Sequence, residues 1–424
     1  MNDRVFDRPA VSISPSASRV DVAIIMRWIT VSAMALAACG DAEPTPSSAG
    51  SVRDSAGITI VENTIDTASA RTGWAVDPTP TLTVGGLDAA EGEQFFSIAG
   101  ARRLEDGRLA VVDGGSAELR VYAATGELVQ TFGAKGEGPG EFMQPRLVGV
   151  FGADSLIVYD SQLRRVSILN PDDGFVRSYT VGTEGGGYPL AIGVTADGGL
   201  AMGGGMFFSS ESDFQAGAQR ANSRYVILSP DGSVRGDLGE VPAAELFGRL
   251  LDGGFSISRL PFGRVTVAAS APDRLWLGNG DSWEVRAYTL DATLKSIVRF
   301  DRRRPPVTES LRDAYLAERL EDAEDEADAQ SIRSQFREMP SPDRLPPYQT
   351  FIVDALDNLW IGEYVLPGET TRTYTIVGPD GRLTGRLTLP EGTLPLDIGA
   401  DYLMAVTLDE LDVQRLTMWR LTRP

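Results

Sequence analysis

One pattern of short strands and turns recurs along most of this chain, and it restricts the fold more than any other feature. The stretch Asp106 to Phe142, DGRLAVVDGGSAELRVYAATGELVQTFGAKGEGPGEF, holds a DG turn, an alternating run from Leu109 to Val112, and a GGSA break. A second run, Leu119 to Ala123, then leads through a TG turn into Leu128 to Phe132. Runs this short, bounded by Gly, Asp and Ser, read as strands joined by tight turns.

The same unit returns five more times. RLAVVD (108 to 113) is matched by SLIVYD (155 to 160), GLAMGG (199 to 204), RLWLGN (274 to 279), NLWIGE (358 to 363) and YLMAVT (402 to 407). The strand pair after it is matched at 167 to 182, 226 to 239, 286 to 300 and 375 to 390. The last copy has RLTMWRL (415 to 421) but no strand beyond it, whereas LTVGGLDAAEGEQFF (82 to 96) has the form of a copy's end and exit loop. A repeat of this period is the signature of a propeller. We expect an all-β, six-bladed β-propeller over residues 57 to 424 whose N-terminal strand, Thr81 to Val84, completes the last blade and removes the open sheet edges. A further strand, Ile58 to Val61, has no partner that the sequence identifies.

Residues 1 to 56 stand outside the repeat. Trp28 to Ala38 is an apolar run after Arg27, too short for a membrane span, and reads as an export signal ending in LAAC (36 to 39). LAAC resembles a bacterial lipobox, which would make Cys39 the lipidated first residue of the mature chain; the other reading is a chance LAAC inside an ordinary signal peptide. Met26-Arg27-Trp28 would itself start a compact signal, so residues 1 to 25 are expected to be a mis-called start. Gly40 to Ser55, rich in Pro, Ser, Ala, Gly and acids, reads as a flexible tether. The expected address is the cell envelope, on a lipid anchor facing the periplasm or the exterior.

Composition excludes several chemistries. There is no histidine, so a Ser-His-Asp triad, a His-ligated metal and a His general base are all unavailable. Cys39 is the one cysteine, which excludes an intrachain disulfide and, once lipidated, thiol catalysis. The formal charge is -20. Residues 1 to 38 hold four basic and three acidic residues, so the mature part carries 35 against 56, or -21. Such a field repels phosphate backbones and anionic headgroups, which argues against nucleic acid and against membrane contact beyond the anchor.

The exit loop GEGPGEF (136 to 142), the repeated DGxL turns and the RVYAATGELVQTFG strand pair (120 to 133) resemble the NHL-type six-bladed β-propellers, in particular exported bacterial propeller lipoproteins. DALDNLW (354 to 360) is also similar to a strand of the gluconolactonase-like propellers, whose members bind a divalent metal through acidic and amide side chains. The amidating-lyase branch of the NHL propellers uses His metal ligands; a chain without histidine cannot carry that activity.

Strand parity points to one end of the ring as the functional one, since the second-to-third loops and the blade connections emerge together. The repeat Leu residues are 44 to 47 apart from 109 to 156 to 200 and from 359 to 403, but 75 apart from 200 to 275 and 84 apart from 275 to 359. The added length falls at 206 to 222, 240 to 262 and 301 to 347, all at that end, where binding surfaces are usual. Residues 301 to 347 are expected to be a helical insertion between blades 4 and 5: Leu311, Tyr315, Leu316 and Leu320 fall at helical spacing, as do Ile332 and Phe336, with Thr308 as a cap after Pro305-Pro306. Residues 307 to 338 carry ten Asp or Glu against four Arg. They form either a solvated lid over the ring or a cap that adds to a ligand pocket.

Two candidate sites share that end. Met206, Phe207, Phe208 and Phe214, in a Gly/Ser-rich loop, form either a recognition patch or packing beneath the loop. The residue four past each repeat Leu is Asp113, Asp160, Gly204, Asn279, Glu363 and Thr407. The polar members Asp113, Asp160, Asn279 and Glu363 either ring the channel and bind a hard cation such as Ca2+, or each caps its own loop, as Asp and Asn commonly do. The expected function is binding of a protein, peptide or envelope saccharide through the insertion-bearing end. The alternative is a divalent-metal-dependent hydrolase or lactonase using the channel-mouth carboxylates.

Overall fold

The computed structural model describes residues 50–64, 73–87, 89–90, 93–152, 154–182, 190–204, 215–251, 254–390, 392–408 and 411–424. Cys39 and Met206, Phe207, Phe208 and Phe214 lie outside them. The described chain is mostly β, its strands largely antiparallel and grouped in six sheets.

The first sheet holds Ile98–Arg103, Leu109–Asp113, Glu118–Tyr122 and Leu128–Phe132, hydrogen-bonded in that order. The second holds Pro145–Phe151, Ser155–Asp160, Arg165–Asn170 and Gly174–Thr180, and the fifth Tyr348–Val353, Leu359–Glu363, Thr371–Val377 and Leu383–Pro390. The repeat motif is therefore the second strand of each sheet. Those strands read as unbroken apolar runs because both faces are buried. Leu109 and Val111 pack with Met404 and Leu416 of the sixth sheet, while Ala110 and Val112 pack with Leu147 and Leu156 of the second. Leu359 and Ile361 likewise join Trp276 of the fourth sheet, and Trp360 joins Leu403 and Ala405 of the sixth.

The third, fourth and sixth sheets carry additions. In the third, Gly217–Leu228 pairs with Val234–Leu251, an 18-residue strand that turns back as Gly254–Arg259. Much of the stretch 240 to 262, whose sequence reads as a connection, is thus a projecting β-ribbon. The fourth sheet, Val267–Ala271, Arg274–Gly278, Glu284–Thr289 and Leu294–Phe300, gains Ile58–Asn63 on its outer edge in parallel with Leu294–Phe300, and Val52–Ser55 beyond it. Buried Asn63 fixes this addition to the fifth sheet: its amide donates to Gly381 O (2.9 Å) and its Oδ1 accepts from Leu383 N (2.9 Å). In the sixth sheet, Leu394–Ile398, Tyr402–Leu408 and Gln414–Thr422, the last strand pairs with both Leu82–Gly85 and Ala75–Val76.

Two helices, α1 (Glu309–Glu321) and α2 (Glu326–Glu338), lie between Leu294–Phe300 and Tyr348–Val353. Thr308 caps α1 by accepting from Leu311 N, and Asp325 caps α2 by accepting from Asp328 N. Among the described residues, no helix is long and apolar enough to cross a membrane. The arrangement is a β-propeller: the first strands of all six sheets surround one central cavity.

Candidate functional site

The polar residue at the end of each second strand is engaged within its own surroundings. Asp113, fully buried, accepts from Phe96 N (3.1 Å), Ser97 N (2.9 Å) and Gly115 N (3.0 Å), and lies 3.6 Å from the Arg120 guanidinium. Asp160, also fully buried, accepts from Met143 N (2.6 Å), Gln144 N (3.0 Å), Gln162 N (3.0 Å) and Leu163 N (2.9 Å). Each carboxylate therefore ties the connection entering its sheet to the loop leaving its own strand. Asn279 exchanges bonds with Asp281, its Oδ1 accepting from the backbone N–H (3.1 Å) and its Nδ2 donating to Oδ2 (2.6 Å). Glu363 accepts from Arg302 (2.7 Å), Arg386 (2.5 Å) and Thr375 (2.9 Å), and the Thr407 and Thr417 hydroxyls are 2.7 Å apart.

Among the described residues, no three His, Cys, Asp or Glu side chains gather as a metal site. Asp113, Asp160, Asn279 and Glu363, which the sequence offers as cation ligands or as loop caps, are each engaged within their own sheet's surroundings. Backbone N–H donors or charged side chains already engage each of these four side chains, so none is turned towards a shared point. For Asp113, Asp160 and Asn279 the geometry is that of loop capping, whereas Glu363 holds Arg302, Arg386 and Thr375.

The two insertions meet as one packed unit at the connection end. Phe262, after the ribbon, contacts Tyr315 of α1 (5.5 Å between ring centroids) and Tyr364 of the fifth sheet's loop (6.3 Å). Tyr315 stacks on Phe336 of α2 (5.9 Å), and Arg312 sits 4.8 Å over the same ring. Phe247, Leu260 and Met339 form a small core beside them. Gln335 donates to Ser258 Oγ (2.8 Å), and Arg249 pairs with Glu338 (3.1 Å). At the ribbon's base, burial works against the charged form of Glu245, but bonds from Arg264 outweigh it and hold the carboxyl below its usual range.

The central cavity measures about 770 Å³. Its wall is made by residues 98 to 100 and 102, 146 to 150, 190 to 194, 267 to 270, 350 to 353 and 395 to 397, one segment from each first strand. Its charged lining residues are Arg102, Arg146, Arg259 and Asp397. Arg146 is the second residue of its strand, opposite Tyr159, and Arg259 ends the ribbon, so both stand at the connection end. Arg102 donates to the carbonyls of Ala101 (2.8 Å), Leu396 (2.5 Å) and Val148 (3.0 Å). Asp397 accepts from Arg103 N (2.9 Å) and Tyr402 OH (2.7 Å). Tyr225 also lines the cavity, and burial pushes its phenol up to about 12.

Sequence reading missed these arginines, because it fixed on the second strands. The available signal was a basic residue ahead of the repeat Leu, by seven positions in GARRL (100 to 104) and by ten in QPRL (144 to 147).

No family model matches the chain, and no curated protein matches it. Among solved structures, a Bacteroides fragilis protein inferred to be exported is similar at 12% identity and a TM-score of 0.46, over 86% of this chain and 100% of that one. Virginiamycin B lyase from Staphylococcus aureus is similar at 11% identity and a TM-score of 0.39, over 83% of this chain and 100% of that one. A luciferin-regenerating enzyme follows at 10% identity and 0.40, over 81% and 97%.

Proposed function

We propose that the chain is a six-bladed, NHL-like β-propeller that acts outside the cytoplasm as a binding module. Six sheets that pack side by side support the blade count. Contact between the sixth and first sheets, and the pairing of Leu82–Gly85 with Gln414–Thr422, support closure by an N-terminal strand. The apolar run 28 to 38 and the LAAC sequence support export with Cys39 lipidated, and Cys39→Ala is expected to release the chain from the membrane fraction. Retention of the variant on membranes would sink the anchor.

The observation that carries the binding reading is a set of exposed apolar side chains at the connection end. Phe96 (77% exposed), Leu250 (71%) and Leu411 (67%) all stand on loops or the ribbon at that end. Side chains like these on a rigid scaffold are the usual material of an interface. The partner classes that suit them are a protein or peptide, or an envelope saccharide; the acidic body disfavours nucleic acid. The test is capture from a cell-envelope extract by the full chain and by a Phe96→Ser, Leu250→Ser, Leu411→Ser variant. A partner held by the parent and lost by the variant is expected. Identical captures would show that this surface does not bind.

A further inference from the structure

The central cavity opposes the charge of the molecule around it. The chain carries -20 overall, yet the charged groups lining the cavity are three arginines against one aspartate. That aspartate, Asp397, is already engaged by Arg103 N and Tyr402 OH. No carboxylate partners the arginines: Arg102 is held only by three carbonyls, and Arg146 and Arg259 have no hydrogen-bond or ion-pair partner among the described residues. Arg146 is open to the cavity's solvent but walled by protein. That desolvation, together with the positive charge of Arg102, holds its pKa below the ordinary arginine value.

A guanidinium that faces a cavity without an internal partner keeps its donors free for a ligand. The chain nevertheless has 59 acidic residues from which a partner could have been drawn. Its planar fork matches the two oxygens of a carboxylate or phosphate.

We propose that the central cavity is an anion site, in which a small molecule presents a carboxylate or phosphate group to Arg146, with Arg259 and Arg102 in the same lining adding positive charge. This rests on the reading of the molecule as a binding propeller and names the chemistry of its ligand. Both arginines at the connection end face the side from which a ligand on the insertion-bearing surface would enter. The volume of about 770 Å³ suits a sugar acid or a molecule of similar size.

The test is calorimetric titration and thermal melting of the full chain with galacturonate, inorganic phosphate and galactose, which differs from galacturonate by one carboxylate. At least one anion is expected to bind and raise the melting temperature, and galactose is not. The relative strength of galacturonate and phosphate tells the two oxyanions apart. Arg146→Gln is expected to weaken the anion by about tenfold or more. Without ligand, it is expected to melt no lower than the parent, because no internal bond is lost and repulsion from Arg102 is relieved.

Equal binding of galactose and galacturonate would overturn the anion site and leave the binding propeller standing. So would failure of both anions alongside successful capture from the envelope extract. Unchanged anion binding in Arg146→Gln would remove the assignment to this cavity. A marked fall in the variant's unliganded melting temperature would recast Arg146 as a structural group.

Discussion

Replacing Asp160 with alanine is expected to destabilise the molecule by about 4 kcal/mol, since a buried donor left without its acceptor costs on the order of 1–3 kcal/mol and some of the four will reach water. Those donors are the backbone N–H groups of Met143, Gln144, Gln162 and Leu163, all held by one fully buried carboxylate. Asp160→Asn keeps a single acceptor oxygen and should recover roughly half of that loss. Urea unfolding of the three proteins gives the comparison directly. The same experiment separates loop capping from metal binding, because added Ca2+ should restore nothing to the alanine variant and add nothing to the parent. A near-neutral Asp160→Ala would remove the capping role assigned here.

A still larger effect is expected from the other end of the chain. Removing residues 1 to 87 takes away both segments that pair with Gln414–Thr422 and leaves that strand as an open edge. Packing goes with it. Trp74 meets Trp360 edge to face at 5.2 Å, beneath the Arg423 guanidinium at 4.8 Å, and Val84 belongs to the core shared by the first and sixth sheets. The shortened chain should aggregate or lose its cooperative transition, whereas removal of residues 1 to 49 alone should leave the melting temperature unchanged. Size-exclusion chromatography and limited proteolysis report both. A monomeric, protease-resistant chain beginning at residue 88 would show that the N-terminal strands close nothing.

The second strands were legible because burial on both faces writes an uninterrupted apolar run into the sequence, as in LAVVD and LIVYD. The first strands were not, although they form the cavity wall. They converge where backbones come closest, and glycine sits at those contacts. A side chain at Gly149 would lie 2.8 Å from Val194, one at Gly193 2.6 Å from Ser270, and Gly100 adopts φ +128°. Glycine weakens the strand pattern at the positions where the geometry demands it. The arginines in those strands then look like ordinary surface charge. The recurrent Asp was legible as a position, and its residue type favoured loop capping over cation binding; which N–H groups surround each carboxylate was not legible. Nor could Ile58–Asn63 be assigned a partner, since it adds in parallel to a strand more than two hundred residues away.

That outer strand also determines how the molecule would hang from a membrane. In a chain held by its N-terminus, tension arrives first at the hairpin Val52–Ser55 and Ile58–Asn63, and passes through the parallel ladder to Leu294–Phe300 and through Asn63 to Gly381 and Leu383. The load enters the rim between the fourth and fifth sheets, several bonds sharing it in shear. The pairing of Leu82–Gly85 with Gln414–Thr422 lies downstream of that clamp, so stress from an N-terminal anchor would be kept apart from that joint.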